Sequence, residues 1–437
     1  MMHEARKSRT TALAVALSAG VTLAACGGND GGASADGAVE DFTVMSRWST
    51  GTPEYEALQA QVASFTEETG VDVEIIDGGE DIDITFETAV AAGQSPDVIA
   101  VNLFDKSLSW LDAGVTVPAD EYLTEWGLED KISEEALLQW RQGQTEDGAL
   151  LGMPYSGFAW PIWFNTTLLA DAGVDEVPTS TDDLLSTIDA LDDAGTPPMI
   201  VGGADWSGQK LFFQTIQTYL SAEQAQTLFS DGGYCENAEA MQGIDLFIEL
   251  RDRGLFVDNV AGLTADDMNN TYFSEGAAMM PAGSWAFAPA AAADEESGNS
   301  VVEATTLGGM PVPEDAALED PSIYLGFTGV GFMLTPTGAE DDRVDASRAF
   351  IEGFYTEETA ADFVAKANLV SAVEGDFSEA SSNPLLTEAL ELDSASNAVL
   401  PDVWIGSASE ALTQVSTLAY GSADGQAICE GLDSASN

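Results

Sequence analysis

Histidine is almost absent from this 437-residue sequence: the single one, His3, lies at the very N-terminus. The rest of the chain therefore lacks the imidazole on which Ser-His-Asp and Cys-His nucleophilic catalysis depend, and which many metal sites use. We accordingly expect no enzymatic activity, no metal and no cofactor. One catalytic class stays open, because glycoside hydrolysis needs only two Asp or Glu residues at a defined distance.

Basic residues are also scarce. The chain has 13 Lys and Arg against 75 Asp and Glu, for a formal net charge of −62 at pH 7. Such a polyanion repels nucleic acid and anionic lipid headgroups, so neither is expected as a direct partner. The acidic residues are scattered through every segment, which is typical of a solvated surface adapted to high salt, where screening reduces self-repulsion. The acidic run DGGEDID at 77–83 lacks the spacing of a calcium-binding loop and is interpreted as a solvated loop.

The uncharged run near the N-terminus, residues 11–25, is too short for a transmembrane helix, which needs about 20 residues. Three basic residues precede it, and the sequence LAAC at 23–26 resembles a bacterial lipobox. These features predict a lipoprotein signal peptide over 1–25 and a lipid on Cys26. An ordinary signal peptide with an incidental cysteine is the alternative. The Gly, Ser and Asp residues that follow predict a flexible tether over 26–39.

Cysteine is rare as well: besides Cys26 the sequence contains only Cys235 and Cys429. Disulfides persist in exported proteins, so we predict that these two residues form a bond that fastens the C-terminal segment to the middle of the chain. Two buried free thiols are the alternative, because sequence alone does not give the distance between the two residues.

Hydrophobic residues make up 45% of the chain, with 19 Phe and 9 Trp, which is enough for sizeable cores and excludes a wholly disordered chain. Strand patterns alternate with amphipathic helix patterns, of which 53–70 and 178–195 are the clearest, and each of these two ends at a glycine. This order predicts an α/β fold of two similar lobes, each a mostly parallel sheet flanked by helices. The predicted strands include 42–48, 71–76, 97–101, 160–165, 197–203 and the run GAAMMP at 276–281. Ser284 is expected to cap a helix that begins at Trp285.

Four segments carry a resemblance to a known family: AAGQSPDVIAV (91–101), AGVTVPADEYL (113–123), LGMPYSGFAWPIWFNTTLLADAGVDEVPTSTDDLL (151–185) and YFSEGAAMMPAGSWAF (272–287). In this order they resemble extracellular solute-binding protein family 1, the substrate-capturing subunits of ABC importers, to which maltose-binding and glucose-binding proteins belong. The resemblance covers nearly the whole chain after the signal peptide. It departs from the family where Phe164 and Asn165 replace the usual Tyr-Asn pair.

The resemblance implies a clamp like the periplasmic binding proteins, whose chain crosses between two lobes three times and whose lobes close on a ligand by hinge motion. Transferred to this sequence, the crossings lie near 155–159, near 304–308 and after 346–355. Lobe one then comprises 40–156 and 305–355, and lobe two comprises 157–304 and 356–437. Both predicted disulfide cysteines fall in lobe two, so their bond would not obstruct closure.

In the sugar-binding branch of this family, tryptophans after the first strand, in the GSW turn and near the C-terminus face the cleft. The residues at these positions are Trp48, Trp285 and Trp404. An indole packs against the C–H face of a pyranose, while polar side chains pair with its hydroxyl groups. Further candidates for ligand contact are Glu54, Asp97, Asn102, Trp160, Trp163 and Trp206. Three tryptophans in predicted helices or at their ends are expected in the core: Trp110, Trp126 and Trp140.

The function that the resemblance implies is capture of a sugar or oligosaccharide outside the cytoplasm and its delivery to an ABC permease. We expect a monomer that contacts the membrane only through its lipid anchor. Two alternatives are a receptor of the same family for a polyamine or another non-sugar solute, and a carboxylate-based glycosidase. A surface adhesin or scaffold, the remaining class, would bind no small molecule.

Overall fold

The computed structural model of the protein describes residues 39, 41–102, 106–142, 147–317, 323–377, 379–392 and 407–436. Several predictions fall outside these residues, namely the signal peptide, the lipidated Cys26, the tether up to residue 38 and the cleft residue Trp404. Within the described part of the chain, no helix is long and apolar enough to cross a membrane.

Helices and strands alternate along the chain, which confirms the predicted α/β class. The strands are β1 (Asp41–Ser46), β2 (Asp72–Asp77), β3 (Val98–Asn102), β4 (Met153–Pro154), β5 (Ser156–Trp160), β6 (Ile162–Asn165), β7 (Met279–Pro281), β8 (Thr305–Gly308), β9 (Tyr324–Gly326), β10 (Val330–Leu334) and β11 (Val370–Ser371). The helices are α1 (Pro53–Thr69), α2 (Ile82–Ala91), α3 (Lys106–Asp112), α4 (Asp120–Glu125), α5 (Glu134–Gln139), α6 (Thr166–Asp171), α7 (Thr181–Ala194), α8 (Trp206–Ile216), α9 (Ala222–Asp231), α10 (Ala238–Asp252), α11 (Ala265–Phe273), α12 (Phe287–Ser297), α13 (Val301–Ala304), α14 (Val344–Glu352), α15 (Glu357–Ala367), α16 (Pro384–Leu392), α17 (Ser407–Tyr420) and α18 (Gly425–Ala435).

Local signals set the ends of the two helices that the sequence predicts most clearly. At the start of α1 the hydroxyl of Thr52 accepts a hydrogen bond from the Tyr55 N–H at 3.3 Å, and at its end Gly70 adopts a left-handed φ of 75°. At the start of α7 the hydroxyl of Ser180 caps the first turn, and Gly195 ends the helix with a φ of 71°. Capping side chains satisfy the free N–H groups of a first turn, and glycine takes the left-handed conformation without steric cost.

The first sheet has the strand order β2-β1-β3-β10-β4. Its strands β2, β1 and β3 are parallel, as predicted, whereas β10 runs antiparallel to both of its neighbours. The carboxyl ends of β1, β2 and β3 therefore meet at one edge of the sheet, which is where ligand crevices form in open α/β sheets. We call this the carboxyl edge.

The second sheet has the order β7-β6-β8, and both outer strands run antiparallel to β6. Here the expected mostly parallel sheet is not found. The predicted strand 197–203 forms only isolated parallel bridges at Met199. A proline has no N–H to donate to a ladder, so Pro197 and Pro198 take part only as acceptors, from Ala278 N–H at 2.9 Å and Met279 N–H at 2.8 Å.

A third, small sheet with the order β11-β5-β9 lies where the chain passes between the first two. Its central strand, β5, connects β4 of the first sheet to β6 of the second. The predicted strand 160–165 is broken at Pro161, which separates β5 from β6. We call β5, β9 and β11 the hinge sheet.

Two elements near the predicted crossing points have partners that bear on where the lobes divide. Strand β8, which the predicted partition assigns to lobe one, pairs with β6 and is therefore part of the second sheet. Helix α15 buries its apolar face, including Phe363, against the first sheet's layer, where the Phe363 ring lies 5.3 Å from that of Trp48. Residues 357–367, which are predicted in lobe two, therefore pack with α1 and the first sheet, against which their apolar face is buried.

The predicted disulfide is confirmed: Cys235 and Cys429 are bonded, with their Cα atoms 5.0 Å apart. The bond ties α18 to the turn that follows α9. Beside it the carboxylate of Asp433 accepts hydrogen bonds from the N–H groups of Gly233 and Tyr234, both at 2.7 Å. The C-terminal helix is thus held to the middle of the chain by a covalent bond and by charge-assisted hydrogen bonds.

Candidate functional site

Three tryptophans from distant parts of the sequence form one cluster. The ring of Trp160 lies 5.7 Å from that of Trp206 and 5.4 Å from that of Trp285, and the latter two are 5.6 Å apart. Trp160 is fully buried, Trp285 is partly buried and Trp206 is 43% exposed. The cluster, which we call the tryptophan cluster, therefore runs from the core to the surface and presents an aromatic face to solvent.

Strand β5 of the hinge sheet supplies the inner part of this cluster. Alternate residues of a strand share a face, so Phe158 and Trp160 point to the same side. The Phe158 ring lies 4.8 Å from the ring of Trp285, in an edge-on contact. Aromatic edge-to-face pairs at such distances are favourable beyond their burial alone.

Helix α8 supplies the exposed member of the cluster at its first residue, Trp206. The preceding residue, Asp205, caps the helix by accepting hydrogen bonds from the N–H of Ser207 at 3.0 Å and from its hydroxyl at 2.7 Å. The second carboxylate oxygen of Asp205 accepts from the Ala265 N–H at 2.7 Å, next to the start of α11. Since Asp205 is fixed from two sides, the position of Trp206 is fixed with it.

The third tryptophan, Trp285, lies in a 3₁₀ turn over Ser284–Ala286 that follows β7. The expected capping role of Ser284 is wrong. Helix α12 begins at Phe287, and no side chain caps either the turn or the helix, because the 3₁₀ turn separates Ser284 from the first residue of α12. The hydroxyl of Ser284 and Nε1 of Trp160 are both buried and find no hydrogen-bond partner in the described structure.

Lys210 lies at the tryptophan cluster and was not predicted from the sequence. Its Nζ is 4.9 Å from the ring centre of Phe158, 5.7 Å from that of Trp160 and 5.8 Å from that of Trp206. The residue is only 6% exposed. Ammonium groups at these distances are attracted to the faces of aromatic rings. Two signals in the sequence could have found it, the scarcity of basic residues and its spacing of four from Trp206 on a helix.

Trp163 was a candidate for ligand contact, but it lies in the core of the second sheet's layer. It is fully buried, with its ring 5.2 Å from Phe287 and 5.8 Å from Tyr272. Its Nε1 donates a hydrogen bond to the carbonyl of Ala282 at 3.0 Å. On β6 the side chain of Trp163 points into the core. Its hydrogen bond to Ala282 supports the turn that carries Trp285.

Trp48 lies just after β1, as the resemblance implies, but it is only 7% exposed. Its ring packs 5.3 Å from Phe363 and 6.3 Å from Tyr155. Because α15 covers this ring, Trp48 belongs to an aromatic group of the first sheet's layer that is different from the tryptophan cluster.

Asp97 also lies away from the expected cleft. It precedes β3, roughly 16 Å from the carboxyl end of that strand at a rise of about 3.3 Å per residue. Its fully buried carboxylate pairs with the guanidinium of Arg343, at 2.7 Å from Nη2, and accepts from the N–H and the hydroxyl of Thr43, both at 2.8 Å. The hydrogen bond to Asp97, together with the charges of Asp97 and its acidic neighbours, holds the pKa of the Arg343 guanidinium above its ordinary value. All of the hydrogen-bonding capacity of Asp97 is thus used within the fold.

The carboxyl edge of the first sheet collects the polar candidates. Asn102 ends β3, and Glu54 lies in the first turn of α1, which follows β1. Asp77 ends β2 and accepts hydrogen bonds from the hydroxyl of Ser49 at 3.0 Å and from the N–H of Thr50 at 3.1 Å. These bonds, that of Thr50 first, hold the pKa of the Asp77 carboxyl below its ordinary value. Asp77 was interpreted as part of a solvated acidic loop, so its place at this edge was missed.

The three tryptophans expected in the core are found there: Trp110, Trp126 and Trp140 are 3%, 5% and 0% exposed. Groups of three or more His, Cys, Asp or Glu side chains arranged to hold a metal ion are not found among the residues that the structure describes.

A cavity of about 410 Å³ lies beside the hinge sheet, lined in part by Leu325, Phe327 and Phe377. Leu325 pairs with Ala159 across β5 and β9, and cross-strand partners share a face. Ala159 points away from the side of Phe158 and Trp160, so the cavity and the tryptophan cluster lie on opposite faces of the hinge sheet. The ring-stacking chemistry is on the cluster's face, and we therefore place the candidate site there and not in the cavity.

The sequence matches the model of the family described as bacterial extracellular solute-binding protein over residues 48–361. A solved structure described as a probable secreted solute-binding lipoprotein from Streptomyces coelicolor is similar to this chain with 33% identity and a TM-score of 0.80, covering 91% of this chain and 98% of that one. A chitin oligosaccharide binding protein shares the fold, with a TM-score of 0.72, 23% identity and coverage of 91% and 98%.

A protein of Rhizobium meliloti described as a probable sugar-binding periplasmic protein is 28% identical over 137 residues. That match spans 31% of this chain and 31% of the relative. The family match, in contrast, extends from Trp48 through the tryptophan cluster and the hinge sheet's β5 and β9 to α15. The chain belongs to the bacterial extracellular solute-binding protein family.

Proposed function

We propose that this protein is the substrate-binding subunit of an ABC importer and that it captures a sugar or oligosaccharide. The observation that carries the proposal is the tryptophan cluster, in which Trp285 and the 43%-exposed Trp206 stand over the buried Trp160. Stacked indoles beside a hinge provide an apolar surface for the C–H face of a pyranose. The hydroxyl groups at the rim of the sugar can meanwhile stay hydrogen-bonded to polar groups around the rings. The names of the chitin oligosaccharide binding protein and of the Rhizobium relative support this ligand class.

The polar part of the proposed site comes from groups around the rings. Nε1 of Trp160 and the hydroxyl of Ser284 are buried polar groups without a partner in the described structure, and such groups are rare in native proteins unless something satisfies them. We propose that the ligand's hydroxyl groups or bridging water do so when the site is occupied. Glu54, Asp77 and Asn102 at the carboxyl edge are the proposed polar groups from the first sheet. Asp97 and Trp163 are not part of the proposed site.

The charge at the tryptophan cluster favours a sugar over the polyamine alternative. Lys210 holds its ammonium group against the rings of Phe158, Trp160 and Trp206, at 4.9, 5.7 and 5.8 Å from their centres. A polyamine that stacked on the same rings would have to compete with this ammonium group for the aromatic faces. A neutral sugar has no such conflict.

Ligand capture is proposed to occur by closure of two lobes about the hinge sheet. The strand pairing and helix packing support lobe one as residues 41–154 with 330–367, and lobe two as residues 162–308 with 384–436. The three crossings then lie at 155–161, 309–329 and 368–383, and β5, β9 and β11 belong to them in that order. Closure would bring the carboxyl edge toward the tryptophan cluster.

The remaining parts of the proposal rest on the sequence. We propose that the chain is exported, that Cys26 carries a lipid after removal of residues 1–25, and that the receptor works as a monomer outside the cytoplasm. Its membrane contact is then the lipid alone, and its protein partner is an ABC permease. The scattered acidic residues are proposed to keep the surface solvated at high salt.

A thermal-shift screen tests the ligand class, because a solute that binds only the folded state raises the melting temperature by mass action. The panel contains maltotriose, chitotriose, xylotriose and raffinose, with spermidine as the cationic alternative. We expect at least one sugar to raise the melting temperature and spermidine not to. A shift from spermidine with none from the sugars would replace the sugar proposal by the polyamine one. Product analysis after long incubation of any binding oligosaccharide tests the glycosidase alternative, for which released fragments would be decisive.

A further inference from the structure

Gly283 immediately precedes the 3₁₀ turn that carries Trp285. Its φ of −76° and ψ of 162° lie in the extended region that every L-amino acid adopts without strain. The backbone conformation at this position therefore does not require glycine. The reason for glycine must lie in the space around its Cα atom.

That space is occupied by the indole of Trp285. A Cβ atom on residue 283 would lie 2.2 Å from Cζ3, 2.4 Å from Cη2 and 2.5 Å from Cε3 of this ring. Carbon atoms in contact normally lie about 3.5 to 4.0 Å apart. The six-membered ring of Trp285 thus lies directly against the Cα of Gly283. Any side chain at 283 would have to displace either this ring or the main chain of the turn.

The backbone of the turn is anchored, so the ring is the part that can move. Nε1 of the buried Trp163 donates to the carbonyl of Ala282 at 3.0 Å, and the N–H of Ala282 donates to the carbonyl of Pro161 at 3.3 Å. On the other side of Gly283, its own carbonyl accepts from the N–H of Ala286 at 2.9 Å. Hydrogen bonds on both sides of residue 283 oppose a shift of the main chain.

Buried rings on one side restrict the directions in which the indole can move. Its neighbours Phe158, Trp160 and Trp206 lie 4.8, 5.4 and 5.6 Å away, and the first two are buried. A Cβ at 283 therefore pushes the partly exposed indole outward, away from the tryptophan cluster. The cluster then loses the ring that joins β5 to the second sheet's turn.

We propose that Gly283 is a positioning residue for ligand binding: the absence of a side chain lets the Trp285 indole fold back over its own turn and complete the tryptophan cluster. The inference rests on the proposed function for its effect on sugar affinity, but the contact between Gly283 and Trp285 can be tested without any sugar. It also gives Trp163 a role, because its hydrogen bond to Ala282 holds the turn against which the indole packs.

The test compares Gly283→Ala, Trp285→Ala and the double variant. The control is Gly262→Ala, since Gly262 has no left-handed φ and an added Cβ there meets nothing within 4 Å. Near-ultraviolet circular dichroism reports the coupling of the clustered indoles, and calorimetric titration with the panel sugar of largest thermal shift, among maltotriose, chitotriose, xylotriose and raffinose, reports affinity. We expect Gly283→Ala to change the tryptophan dichroism and to weaken sugar binding about tenfold, and Gly262→Ala to change neither.

The double variant decides whether Gly283 acts through Trp285. We expect it to bind no more weakly than Trp285→Ala alone, because the contact is already lost in that background. Wild-type dichroism and affinity in Gly283→Ala would overturn the inference, and so would a double variant weakened by the product of the two single effects. If Trp285→Ala leaves sugar affinity unchanged, the proposed ligand role of the cluster fails, while the dichroism of Gly283→Ala still decides the positioning contact.

Discussion

Lys210 follows Trp206 by about one turn of α8, and its ammonium nitrogen lies 5.8 Å from the centre of that indole. A spacing of four residues puts both side chains on the same face of the helix. The same nitrogen lies 4.9 Å from the ring centre of Phe158 on β5, so the contact joins the second sheet's layer to the hinge sheet. A cation enclosed by aromatic rings in a chain of net charge −62 is thus part of the proposed binding site.

Replacement of this cation tests its contribution to the site. Lys210→Met keeps most of the apolar stem and removes the charge, and we expect the free energy of unfolding to fall by about 1 to 2 kcal/mol, the range for a desolvated cation–π contact. The matched control is Lys366→Met, which breaks only the surface pair of Lys366 with Asp362 and should change stability by less than about 1 kcal/mol. Denaturant titration measures both; equal effects would show that Lys210 contributes no more than a surface lysine.

Removal of the exposed ring tests the ligand platform. Trp206 is 43% exposed, so Trp206→Ala should cost little stability, but it removes one stacking face and should weaken sugar binding about tenfold to a hundredfold. Tyr122→Ala is the control, because this partly buried tyrosine packs on Trp126 beside α4, far from the hinge sheet in sequence. Calorimetric titration with the sugar identified in the panel gives both affinities. Unchanged affinity in Trp206→Ala would remove this ring from the site.

In contrast to Trp206→Ala, Asp97→Ala should lower the stability of the protein and leave its sugar affinity nearly unchanged. The variant leaves the Arg343 guanidinium without its buried partner and removes the carboxylate oxygen to which both the N–H and the hydroxyl of Thr43 donate, so we expect a loss of about 3 to 5 kcal/mol in the free energy of unfolding. Sugar affinity, measured where the variant is still folded, should stay within about twofold of the wild type. A large loss of affinity with unchanged stability would return Asp97 to the list of ligand contacts.

Glu388 predicts a dependence of stability on pH. Burial of this half-buried carboxyl in α16 raises its pKa, with Glu391 adding to the effect and the hydrogen bond from the Leu307 N–H opposing it. A raised pKa means that the folded state holds the proton more tightly than the unfolded state, so stability falls as pH rises from the ordinary pKa of a glutamate through the raised value. Glu388→Gln can keep the bond from Leu307 without a charge.

We therefore expect the melting temperature of Glu388→Gln to exceed that of the wild type at pH 7, and the difference to shrink toward pH 4 as the wild-type carboxyl becomes protonated. Melting curves of both proteins across this pH range measure the difference. A gain that is constant with pH, or larger at pH 4, would contradict the assigned cause.

The disulfide should contribute stability without contributing to the site. It closes a long loop, because the two cysteines are 194 residues apart in the sequence. We therefore expect the free energy of unfolding of the Cys235→Ser and Cys429→Ser double variant to fall by about 2 to 5 kcal/mol. Both cysteines pack among the helices of the second sheet's layer, so sugar affinity at a temperature where the variant is folded should not change. A loss of affinity that parallels the loss of stability would show that α18 also positions the site.

Much of the local structure follows from the sequence because its causes are local. Pro53 and Gly70 bound α1, and Ser180 and Gly195 bound α7, by effects that act within one helical turn. The prediction of a strand over 197–203 was wrong for a reason that is also present in the sequence, because two adjacent prolines have no N–H groups to donate to a neighbouring strand. The proposed lobe boundaries differ from those predicted from the sequence because β8 and α15 are assigned by the elements with which they pair or pack, and the sequence pattern alone does not identify those elements.

The sequence by itself determined the acidic, nearly histidine-free character of the chain and its α/β class through composition and pattern, and four of its segments carried the family resemblance. It predicted the bond between Cys235 and Cys429, but only the structure gave the distance that the bond requires. Only the tertiary structure decided which tryptophans meet. Trp160, Trp206 and Trp285 are separated by dozens of residues, and their clustering depends on where β5, α8 and a 3₁₀ turn converge. The same packing buried Trp48 and Trp163 and enclosed Lys210. It also left no room for a side chain at Gly283, although the backbone conformation there would allow one.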